Sequence, residues 1–131
     1  MNINLLRGLA AVPGIPMLIN AVGFVTDPSQ VAATLGMPLL EGVGRSTQVG
    51  DFGAFFLSLT GFIFYGAFAV KPAWIRAAAI MLALAALLRV VAWLFHGADF
   101  ASLFIAVEVI LTIWLLVFGT LLERHARSGQ P

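Results

Sequence analysis

Residues 100–122 read FASLFIAVEVILTIWLLVFGTLL, a run with a single charge, Glu108. About 20 apolar residues carry a helix across the hydrocarbon core of a bilayer, so this stretch decides the class of fold. Working outward, residues 72–95 read PAWIRAAAIMLALAALLRVVAWLF, with Arg89 deep in the run and Arg76 in its first turn. Residues 52–70 and 8–26 carry no charge at all. Four apolar segments of this length use up most of the chain, and they predict an all-α integral membrane four-helix bundle.

Composition points the same way. The 131 residues are 61% hydrophobic and only 10% charged, too few charges to cover the surface of a soluble domain of this size. In lipid the backbone must satisfy its own hydrogen bonds, which favours helices. A membrane barrel needs alternating polar and apolar positions, and these runs do not alternate. Cysteine is absent, which excludes disulfides and thiol chemistry. A net charge of +1 without a basic stripe excludes a nucleic-acid partner. The first apolar run is too long for a signal-peptide core and is read as a retained helix.

Boundaries follow from turn chemistry. The chain is read as one membrane domain over residues 1–131, with helices at about 3–25, 45–70, 72–96 and 99–122. Pro13 and Pro16 should bend the first of these, neighbouring groups re-satisfying the freed carbonyls. Asp27 followed by Pro28 caps a short interfacial helix over about 28–35, in the first outer loop, with Gly36 ending it. A tight Lys71-Pro72 connection joins the second and third long helices. Asp99 is a plausible cap for the fourth, and the polar tail from Glu123 to Pro131 is expected to fray.

Basic residues set the orientation. With four spans, one side holds Arg7, Lys71, Arg76, Arg124 and Arg127 against Glu123, and the other holds Asp27, Glu41 and Asp99 with Arg45. Excess Lys and Arg on the cytoplasmic side predicts an inner-membrane protein with both termini cytoplasmic.

The internal charges are the candidates for chemistry. Glu108 lies deepest, and an unpaired charge there costs about 2–3 kcal/mol or more, so it should be paired or neutralised. Helical spacing puts Gln48, Asp51, Phe55, Ser58 and Phe62 on one stripe, Arg89, Trp93 and His96 on another, and Glu108 with Thr112 on a third. Convergence of these stripes would make an outward-opening pocket. Asp51, Arg89 and Glu108 are the catalytic candidates; Gln48, Asp51, Phe55, Arg89, Trp93, Glu108 and Thr112 are the candidate ligand-binding set. A carboxylate can move a proton and an arginine can orient an oxygen-bearing ligand. The competing account is structural: Arg89 with Glu108, and Arg45 with Asp51, neutralise each other and fix helix register.

No metal or cofactor motif is present. His96 and His125 fall at opposite ends of the protein and cannot share a haem or a metal. Gly50, Ala54, Ser58 and Gly61, with Ala78, Ala85 and Ala86, are small residues that let helices approach closely, within one chain or in a homo-oligomer.

Leu5-Leu6-Arg7, Asp27-Pro28 with Ala32, Leu35 and Gly36, Gly50-Asp51-Phe52-Gly53, Arg89 and Glu108 together resemble a bacterial family of small four-helix membrane proteins catalogued as a domain of unknown function. The likeness covers most of the chain; it implies architecture and no reaction.

Two classes of function follow. One is a non-catalytic multi-pass protein, an accessory subunit of a membrane complex or a binder of a lipophilic small molecule. The other is a small membrane enzyme, an isomerase, hydrolase or cyclase acting on an isoprenoid-like substrate. The second requires an enclosed cavity reaching Glu108.

Overall fold

A computed structural model describes residues 2–128. Among them every regular element is a helix: α1 Ile3–Ala11, α2 Gly14–Thr26, α3 Pro28–Thr34, α4 Gly42–Thr47, a π-helical turn Gln48–Phe52, α5 Gly53–Phe68, α6 Pro72–His96 and α7 Ser102–Ser128. Three helices are long and apolar enough to cross a membrane: the continuous Gly42–Phe68, Pro72–His96 and Ser102–Ser128. A fourth crossing is available if the broken pair α1 and α2 counts as one span. Only 17% of the most apolar window of α7 is buried against protein, so most of its hydrocarbon surface requires an apolar solvent. The chain divides into two compact units, residues 1–12 with 62–131, and residues 13–61.

In the first unit α6 and α7 form an antiparallel hairpin. Its seam takes Ile75, Ala79, Leu82, Ala86 and Arg89 from α6 and Glu108, Thr112, Leu115, Gly119 and Leu122 from α7. These positions alternate steps of four and three, the spacing that keeps one stripe facing a partner helix. Ile75, Leu115 and Leu122 are wholly buried. Small residues let the backbones close in: a Cβ on Gly119 would stand 3.1 Å from Ile75 Cγ2. The start of α6 also closes on the end of α5, where a Cβ on Gly66 would overlap Ile75. The turn between them is tight. Lys71 N–H donates to Gly66 O at 2.8 Å, and Val70 adopts the left-handed conformation, φ +53°, which is costly for a β-branched residue.

The first long helix is not merely bent, as expected from its prolines. It breaks at Val12-Pro13, separating α1 from α2. Pro13 has no N–H for the carbonyl of Leu9; the Trp114 indole N–H supplies one instead, at 2.7 Å. Helix α7 departs from expectation at both ends. Gly97, at φ +67°, closes α6, and Phe100 then packs edge-on against Trp93, centroids 5.0 Å apart. Helix α7 starts at Ser102 rather than Asp99. At the other end the helix runs through Ser128 instead of fraying from Glu123. Glu123 pairs there with Arg76 of α6 and with Arg127 one turn on, contacts that hold the last turns. Residues 129–131 of the expected tail lie outside the described residues.

In the second unit, Asp27 caps α3 by accepting from Gln30 N–H at 3.2 Å, with Pro28 at the first helical position. Gly36, at φ +79°, follows its end. Gly23 admits α3 closely against α2, since a Cβ there would collide with Val31. Phe24 is buried and stacks on Phe52 and Phe56, centroids 5.9 and 6.1 Å away.

Candidate functional site

The deepest charges find each other. Arg89 lies late in α6 and Glu108 early in α7, and the antiparallel seam brings the two positions level. Arg89 Nε donates to both carboxylate oxygens of Glu108, at 2.9 and 3.1 Å. The Glu108 side chain is 12% exposed and that of Arg89 34%. Phe104 completes the group: its ring centroid lies 4.8 Å from the Arg89 guanidinium carbon, a cation–π contact. Phe104 was absent from the expected set, although it stands one helical turn before Glu108 and its spacing puts it on the same face.

Thr112 serves its own helix. Its hydroxyl donates to the Glu108 carbonyl at 2.7 Å and approaches Ala79 O at 3.5 Å. Trp93 is one turn beyond Arg89, 45% exposed, and edge-on to Phe100. The hairpin also carries an open groove of about 290 Å³, lined by residues such as Ala83, Leu87, Val90, Ile105 and Val109. Thr112 is its one polar lining residue, and neither Arg89 nor Glu108 lines it. This groove is thus not a pocket with a charged neck.

The remaining candidates belong to the second unit, where local demands claim most of them. Gln48 is buried and clamps the preceding loop, accepting from Leu40 N–H at 2.9 Å and donating to Pro38 O at 3.0 Å. Arg45 Nε donates to Leu40 O at 2.8 Å. It forms no ion pair with Asp51, contrary to the structural account of those two charges. Asp51 is exposed on the π turn. Phe55 is half-buried, edge-on to Phe56 with centroids 5.4 Å apart. A π turn often marks a functional position; here its flanks hold Gln48 on the loop and Phe52 on Phe24. Sequence spacing alone does not reveal it, because the extra residue shifts every face beyond it.

Among the described residues no group of three His, Asp or Glu side chains gathers into a metal-binding cluster. Chemically, the Arg89–Glu108–Phe104 group is a neutral ion pair on an aromatic support. It can hold register, or offer the spare guanidinium donors to a ligand. Compared with protein-family models, with curated proteins and with solved structures, the chain matches none.

Proposed function

We propose that this is a non-catalytic multi-pass protein of the inner membrane, either a binder of a lipophilic small molecule or an accessory subunit of a larger membrane complex. The observation that carries this reading is the Arg89–Glu108 pair: the charges within the apolar length of α6 and α7 neutralise each other, and the adjoining groove is apolar and bypasses them. An acid–base catalyst needs a carboxylate facing its substrate; here both Glu108 oxygens accept from arginine.

In this reading the chain crosses four times, α1 and α2 together making the first crossing, with α3 at the outer interface and both termini cytoplasmic. The basic residues Arg7, Lys71, Arg76, Arg124 and Arg127 support that orientation. The resemblance to a family of small four-helix membrane proteins agrees with it and rests on the quoted residues alone. A single cysteine at Lys71 should be shielded from an impermeant maleimide in intact cells, and one at Gly97 labelled; the chain has no cysteine of its own to interfere.

Native mass spectrometry after purification in mild detergent tests the function. A stoichiometric apolar molecule supports the binder, and a retained protein partner supports the accessory subunit. The enzymatic reading keeps one observation in its favour, the exposed edge of Arg89 beside a carboxylate. Turnover of a retained molecule that is abolished in Glu108→Gln would replace our reading with that one.

A further inference from the structure

We propose that the outward edge of Arg89 is the head-group contact of a neutral lipophile bearing acceptor oxygens, carbonyl oxygens above all. The inference rests on the binder reading and specifies its ligand. A guanidinium carries five N–H donors in a rigid fork. Arg89 commits only Nε, to Glu108. Among the described residues its two Nη groups make no hydrogen bond, while the side chain is 34% exposed.

Depth removes the ordinary partner. Arg89 stands seven residues before His96, which is about 10 Å along the helix axis. The 25-residue α6 is about 37 Å long against a hydrocarbon core of about 30 Å. With α6 centred on that core, the Arg89 backbone lies about 7 Å inside its edge, and the bond from Nε to Glu108 holds the guanidinium back from snorkelling to the phosphate level.

Charge then selects the ligand. Arg89 and Glu108 already sum to zero, so an anionic head would bring a net negative charge into low dielectric beside a carboxylate. A neutral acceptor brings none. Shape agrees with charge: Phe104 covers one face of the guanidinium and Glu108 occupies its Nε side, leaving the in-plane Nη edge for an incoming oxygen. The exposed ring of Trp93, one turn further along α6, offers an apolar surface beside it. The shared chemistry fits two sources, a free carbonyl-bearing lipophile such as a quinone or ketone, or the ester carbonyls of a membrane lipid.

Binding of a tritiated decyl-benzoquinone to the full chain in detergent micelles, read by scintillation proximity, tests this. Saturable binding is expected, weakened about ten- to a hundred-fold when the hydrogen bonds to a charged donor are lost. The variant for this is the double substitution Arg89→Met with Glu108→Leu, which removes donors and charge together. Arg89→Lys keeps a charge for Glu108 but lacks the planar fork, and it should weaken binding in the same direction if the double variant fails to fold. Displacement by dioctanoylglycerol would identify membrane-lipid esters as the source; failure to displace would identify a free lipophile. Stronger displacement by dodecyl phosphate than by dioctanoylglycerol would overturn the neutral head group. Unchanged affinity in a folded variant, or no saturable binding at all, would overturn the site. An apolar molecule still retained in native mass spectrometry would then leave the binder standing with its ligand held elsewhere.

Discussion

Two ion-pair sites join α6 to α7 with the same residue types, and they sit in different surroundings. Arg76 with Glu123 and Arg127 forms one near the start of α6 and the end of α7, where the Arg127 side chain is 77% exposed. Arg89 with Glu108 forms the other within the apolar length of both helices. At the first, water can replace any missing partner. At the second, in the membrane reading proposed above, each group depends on its partner, because hydrocarbon offers no substitute. Identical chemistry is thus dispensable at one end of the hairpin and obligatory towards the other.

The strongest way to break this comparison is Glu108→Gln, which strands the Arg89 charge. We expect about 2–3 kcal/mol of destabilisation, measured by unfolding in mixed micelles, whereas Arg89→Met with Glu108→Leu should recover most of the loss. Equal costs for the single and double variants would refute the dependence of each group on the other. Trp114→Phe asks whether an uncharged group in the apolar half is similarly dependent. Leaving the Leu9 carbonyl without its donor should cost about 1–2 kcal/mol. Pro13→Ala restores a backbone N–H, so the two substitutions together should cost less than Trp114→Phe alone. The smallest effect belongs to the exposed pairs around Glu123. Glu123→Gln, which removes both exposed pairs at once, should cost no more than about 1 kcal/mol, and added salt should shrink the difference further.

The sequence made some of this legible and hid the rest for identifiable reasons. Long apolar runs, the Lys71-Pro72 turn, and the cap formed by Asp27 with Pro28 are local features. The need to neutralise Glu108 follows from its depth, and Arg89, on the preceding helix, carries a side chain long enough to reach it. The hairpin seam is written in the four–three spacing of Ile75 to Arg89 and Glu108 to Leu122, although small residues there read first as general close-packing positions. What escaped depends on distant or register-shifting contacts. The break at Val12-Pro13 is sealed by Trp114, 105 residues from Leu9. The late start of α7 accompanies the contact of Phe100 with Trp93. Gln48 looked like a ligand contact because a polar side chain on an apolar stripe invites that reading; its amide instead satisfies the backbone of a loop that sequence spacing does not place. Asp51 lies on the π turn, where an added residue rotates the face that ideal helical geometry would assign.

The Trp114–Leu9 hydrogen bond also has a bearing on biogenesis. Leu9 is synthesised long before Trp114, so its carbonyl lacks this donor until α7 has been made. Until the final segment arrives, that oxygen must borrow water or a transient donor. Truncation before residue 114 should therefore leave α1 less firmly held, read as faster proteolysis of that segment than in the full chain.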